Sequence, residues 1–166
     1  EIVMWLEFRR VLFRSRMSRS YAREVVLKAI FQRDFQPEQT EGMYLDYINQ
    51  YDLKENDAKY AKEMISGIIK NIEAIDKIIN SYLVNWEVNR LNKIESAILR
   101  LATLEIIELK DIPAPVSISE AIHLTTKYSD MESVKYINAV LEKIAKNEGI
   151  EKLTVNKDED EKPNRQ

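Results

Sequence analysis

Residues 91–109 read LNKIESAILRLATLEIIEL, and this stretch decides the fold. Leu91, Ile94, Ala97, Ile98, Leu99, Leu101, Ala102, Leu104, Ile106, Ile107 and Leu109 leave almost no polar side to a helix over 90–110. A helix that is apolar nearly all round must be covered from several sides, so this one is expected at the centre of an all-α protein. Upstream, Ala22, Val25, Val26, Ala29 and Ile30 recur at helical spacing and predict a first helix over 20–35. A second helix is expected from Pro37 to about Tyr51, with Tyr44, Leu45 and Ile48 as its stripe, because proline is tolerated at a first helical position. Asn56 or Asp57 is expected to cap a third helix bearing Ala61, Met64, Ile65 and Ile68. A fourth carries Ile72, Ile75, Ile78, Ile79, Tyr82 and Leu83, before a break near Asn85–Asn89.

Downstream, Ile112-Pro113-Ala114-Pro115 cannot continue a helix, since each residue before a proline is pushed to extended geometry. Ser117-x-x-Glu120 and Ser129-x-x-Glu132 both fit a capping box, which predicts two further helix starts. The sixth helix then presents Ile118, Ala121, Ile122 and Thr125, and the seventh presents Val134, Ile137, Leu141 and Ile144, ending near Gly149. The expected architecture is a compact bundle of about seven helices. Residues 150–166 are mostly charged and are expected to form a disordered tail. Residues 1–16 mix arginine and bulky apolar residues without a period, and are expected to be a non-native extension ahead of Met17.

Composition narrows the function. There is no cysteine, which excludes disulfides, thiolate nucleophiles and Cys-ligated zinc, and which suits a reducing cytoplasm. The single His123 cannot build a two-histidine metal site, and three glycines at 42, 67 and 149 cannot build a phosphate loop. No apolar run approaches the roughly 20 residues of a membrane helix. Glu105 and Glu108 are expected on a solvated helix face rather than as an acid–base pair. No enzyme, metal or cofactor is expected. The net charge of −3 means that any nucleic-acid affinity must come from a local basic cluster.

Several segments together resemble one family. The central helix from Leu91 to Ala102, the run IPAPVSISEAI at 112–122, Lys127-Tyr128-Ser129, and Glu132-Ser133-x-Lys135-Tyr136-Ile137-Asn138-Ala139-Val140-Leu141 are similar to NusB transcription antitermination proteins. Arg19-x-x-Ala22-Arg23-Glu24 followed by Ala29-Ile30-Phe31-Gln32 resembles that family's arginine-rich first helix. The resemblance covers about 17–148, and the domain is therefore set at 17–149. Three features depart from the pattern: Ala139 stands where the family usually has glycine, the N-terminal arm carries fewer arginines than in some members, and the loop at 84–90 has its own spacing.

The resemblance implies two small helical bundles packed together. It implies binding of the boxA element in ribosomal RNA transcripts, as a heterodimer with the small-subunit ribosomal protein that doubles as NusE. The pair would join RNA polymerase elongation complexes with other Nus factors. On this reading Arg19 and Arg23 contact phosphate, Lys135 adds a third cation, and Phe31 and Tyr128 offer stacking planes. Tyr82 and Glu95 fall on the partner-binding face, where a Glu95→Lys change is expected to leave the free protein folded. A related domain also heads some ribosomal-RNA cytosine methyltransferases, but only a charged tail follows Gly149, so methylation is not expected here. The alternative is a helical protein–protein scaffold without direct RNA contact.

Overall fold

The central stretch forms α4, Lys93–Glu108, and every residue from Glu95 to Ile106 is buried. Asn92 caps it, its side-chain oxygen accepting from Ile94 N at 3.0 Å. The computed structural model describes residues 18–160, with side chains over 19–148. Five other helices accompany α4: α1 Ser18–Phe35, α2 Glu41–Asn49, α3 Glu55–Tyr82, α5 Ala114–Tyr128 and α6 Met131–Asp160. A 3₁₀ turn covers Val88–Arg90, and no strand occurs among the described residues. None of the described helices is long and apolar enough to cross a membrane. The segment expected to be a non-native extension, 1–16, lies outside the described residues, as do 161–166.

Contacts divide the chain into two units at Lys70/Asn71. In the first unit α1 packs on α2. The expected α1 stripe of Ala22, Val25, Val26, Ala29 and Ile30 is buried throughout, as are Tyr44, Ile48, Met64, Ile65 and Ile68. In the second unit α4, α5 and α6 pack pairwise on one another. Ile137, Leu141 and Ile144 of α6 are buried.

Among the described residues six helices stand where seven were expected. The third and fourth run together as α3, interrupted only at Asn71, whose φ of −116° and ψ of 18° leave helical geometry. Other boundaries moved for local reasons. The second helix starts at Glu41, because Gln36–Gln39 forms a turn closed by Gln39 N to Gln36 O at 3.2 Å, with Pro37 in its favoured second position. The third starts at Glu55, so neither Asn56 nor Asp57 caps it, and Asp57 is buried in an ion pair instead.

Both capping boxes are also corrected. Pro113 is itself the N-cap of α5, and the prolines begin a helix they could not have continued. Ser117 therefore sits inside α5, where its hydroxyl donates to Glu105 Oε1 at 2.9 Å. Glu105 is 1% exposed, a buried acceptor rather than a solvated carboxylate. At the start of α6 the capping acceptor is Asp130, whose Oδ1 receives Ser133 N at 2.8 Å. That bond, together with one from the Ser133 side chain, holds the Asp130 carboxyl below its ordinary value. At the far end, α6 runs to Asp160, beyond the expected end near Gly149.

Candidate functional site

The break after α3 is a built loop. Asn85 has φ of 63°, a left-handed conformation that asparagine tolerates better than most residues. Three residues on, the backbone is tied at both polar atoms. Val88 N donates to Asn80 Oδ1 at 2.7 Å, and Val88 O accepts from Ser96 Oγ at 2.7 Å. Next to it, Asn89 Oδ1 accepts from Arg100 Nη2 at 3.2 Å. Arg100 is buried and grips Asp76 with two bonds, of 2.7 and 3.0 Å. A planar fork on a carboxylate is the strongest arrangement available to such a pair. With its backbone so anchored, the loop leaves Val84 and Trp86 exposed, at 70% and 61%.

These two side chains form part of the lining of a groove of about 630 Å³ within the second unit, completed by α4 and by the Ser133–Lys143 face of α6. Glu95 also lines it, only 7% exposed, and holds a hydroxyl cluster. Ser129 Oγ donates to Glu95 Oε1 at 2.6 Å, Ser133 Oγ donates to the same oxygen, and Tyr136 donates to Oε2. Burial, and then the Glu95 carboxylate beside it, push the Tyr136 phenol well above the ordinary tyrosine value. That hydroxyl therefore remains a donor at any physiological pH. The groove joins apolar walls to a satisfied carboxylate, with Arg90 and Lys143 adding positive charge and Asp130 and Glu132 negative charge. Combined apolar and placed polar groups are what a protein segment needs for specific docking.

Tyr82 and Glu95 both line this groove, so the structure brings the two expected partner contacts together. Tyr82 is half-buried and donates to Glu148 Oε1 at 3.1 Å. Glu95 is neither solvated nor simply presented at a surface: a lysine in its place would face three hydroxyl groups that now donate to the carboxylate, so a Glu95→Lys change bears on stability as well as on docking. Ala139 also lines the groove. Trp86, Val84 and Lys143 were missed from sequence. The only signal was Trp86, a bulky aromatic inside the expected break.

In the first unit Arg19 and Arg23 gather on Tyr60. The Arg19 guanidinium carbon lies 4.3 Å from the ring centroid, and that of Arg23 lies 5.8 Å away. Arg19 Nε donates to Asp57 Oδ1 at 2.9 Å. Arg19 keeps an exposed side chain, whereas Arg23 is buried and belongs to the packing around the ring rather than to open surface. Phe31 is half-buried and meets Phe35 edge to face at 5.0 Å. In the second unit Tyr128, the last residue of α5, is half-buried with the Lys127 ammonium 5.4 Å from its ring. Lys135, in the second turn of α6, is exposed. Neither Tyr128 nor Lys135 lines the groove. His123 is exposed, and no group of three potential metal ligands occurs among the described residues.

Helices in two units, with arginines stacked on a tyrosine in the first and a groove of mixed apolar and polar lining in the second, define an all-α protein over the described residues. The comparisons specify which. The sequence model of the NusB family matches residues 20–146. A transcription antitermination protein NusB from Acetivibrio thermocellus is 39% identical over 130 residues, covering 78% of this chain and 90% of that one. The Clostridium perfringens protein of the same name is also 39% identical, covering 79% and 98%. Among solved structures, T. maritima NusB matches with a TM-score of 0.73 at 35% identity, over 78% of this chain and 91% of that one. A NusB chain from a crystal structure of antitermination factors NusB and NusE in complex with dsRNA matches with a TM-score of 0.69 at 29% identity, over 78% and 96%. The chain belongs to the NusB family of transcription antitermination factors.

Proposed function

We propose that the protein binds boxA-type single-stranded RNA in ribosomal RNA transcripts together with the ribosomal protein NusE, and that the assembly alters elongation by RNA polymerase in the cytoplasm alongside other Nus factors. The observation that carries this reading is the match to a NusB chain crystallised with NusE and dsRNA. The groove fits the protein half of the reading, with Tyr82, Glu95 and Trp86 as the contacts for NusE. For the RNA half, Arg19 and Lys135 take phosphates, Phe31 and Tyr128 supply stacking planes, and Arg23 supports Tyr60 from within the fold. Residues 17–149 form the working domain in this account, and trimming 1–16 leaves both activities unchanged.

The net charge of −3 favours a second reading, a scaffold that binds protein but not RNA. One experiment separates them: titration of a boxA-type RNA oligonucleotide into the full chain, with and without NusE. The first reading expects salt-sensitive binding that tightens when NusE is present. Absence of RNA binding in both arms, with the heterodimer still forming, leaves the scaffold.

A further inference from the structure

The strongest unassigned feature is how Arg19 is held. A guanidinium carries five N–H donors in a rigid plane. Here Nε is spent on Asp57, at 2.9 Å, and one face lies 4.3 Å from the Tyr60 ring. Asp57 and Tyr60 are 5% and 4% exposed, so both restraints belong to the interior of the first unit. Among the described residues the two Nη groups have no hydrogen-bond partner, and the side chain stays 39% exposed. Beside it lies a recess of about 500 Å³ lined by Arg19, Lys54, Glu55, Asn56 and Asp57.

We propose that Asp57 and Tyr60 are positioning residues that hold Arg19 as a preformed fork for a single RNA phosphate. The proposal rests on the RNA-binding reading above and adds to it the two residues that make Arg19 effective. A free arginine gives up much of its rotamer freedom when it grips a phosphate. One already fixed at its Nε edge and its face has lost that freedom on folding, and the end-on Nη pair is left to bind. The recess pairs two cations with two carboxylates, Glu55 and Asp57, so it is no general anion trap. It suits one phosphate presented as part of a longer strand.

Charge alone predicts the opposite result for one substitution, and this makes the proposal testable. Removing a carboxylate near the binding place should help an anionic ligand if only long-range charge matters, and also if Asp57 competes with phosphate for Arg19. If Asp57 positions the fork, Asp57→Asn weakens RNA binding. The experiment titrates a boxA-type single-stranded RNA oligonucleotide into the full chain at several salt concentrations. Wild type is compared with Arg19→Ala, Asp57→Asn, the double variant and Arg19→Lys, each checked for folding by its thermal transition.

Arg19→Ala should weaken binding about tenfold, the loss of a charge-assisted contact, and lower the salt slope by about 0.7. Asp57→Asn should weaken binding severalfold, and the double variant should bind no worse than Arg19→Ala alone. Arg19→Lys alters no fully buried residue and keeps the charge. It should lose severalfold in affinity while keeping the slope, and it decides the matter if Asp57→Asn does not fold. If Arg19→Ala weakens binding but Asp57→Asn is silent or strengthens it, the positioning role is overturned and the RNA reading stands. Wild-type affinity in Arg19→Lys overturns the preformed fork as well. If wild type binds RNA and Arg19→Ala changes nothing, it is the assignment of Arg19 to RNA that fails.

Discussion

Arg19 in the first unit and Trp86 in the second are both exposed, yet they are held in opposite ways. Arg19 is restrained through its side chain, by a carboxylate at one edge and a ring at one face. Trp86 is restrained through its backbone: the chain two and three residues on is tied to Asn80, Ser96 and Arg100, while the indole itself stays 61% exposed. The difference matches what each would meet. A phosphate offers a fixed geometry that a planar fork can anticipate. A protein segment is better met by an apolar side chain on a rigid support, because order in the free loop removes an entropic cost of docking. Binding through Arg19 should therefore respond to salt, and the contribution of Trp86 should not.

The largest expected effect tests how far the groove is part of the core. Glu95→Lys removes the acceptor of three hydroxyls and buries an ammonium in its place. It should lower stability by about 3–5 kcal/mol, as breaking a buried charged network does. Chemical denaturation measures this directly, and a variant of wild-type stability would mean that the Glu95 cluster is not closed.

Leu101→Ala is the apolar counterpart. Leu101 is 2% exposed on α4, and its truncation should cost about 2–5 kcal/mol. A neutral outcome would contradict the central place given to α4.

Trp86→Ala should do the reverse of both. Stability should stay within about 0.5 kcal/mol, as for exposed positions in general, while NusE affinity falls by about 2 kcal/mol, as when an aromatic anchor is lost. Calorimetry of the heterodimer with the thermal transition of the free chain reads both. A stability loss without an affinity loss would make Trp86 a packing residue.

Which parts of this were legible from sequence follows from the range of the interactions. The α4 stretch and the α1 stripe were readable because burial writes a periodic pattern into neighbouring residues. The Glu95 cluster was not, since its donors lie 34, 38 and 41 residues further on. Arg19–Asp57 spans 38 residues and was hidden for the same reason. The two serine capping boxes misled because the motif is local while the residues' partners are not. Ser117 found Glu105 and Ser129 found Glu95, and Pro113 and Asp130 took over the starts of the two helices. Tyr82 and Glu95 were named from family resemblance, and the structure lines one groove with both. Trp86 lay in a loop whose spacing transferred nothing, and only folding showed it to be an exposed wall.

The central claim is that RNA and protein partner are met by chemically distinct surfaces. The most direct test is a salt titration of RNA binding and of NusE binding for wild type, Arg19→Ala and Tyr128→Ala. Arg19→Ala should flatten the RNA salt slope by about 0.7 and leave NusE affinity unchanged. Tyr128→Ala should cost about 1–3 kcal/mol of RNA binding through lost stacking, with the slope kept. An unchanged slope in Arg19→Ala, or a loss of NusE affinity in the same variant, would contradict the separation.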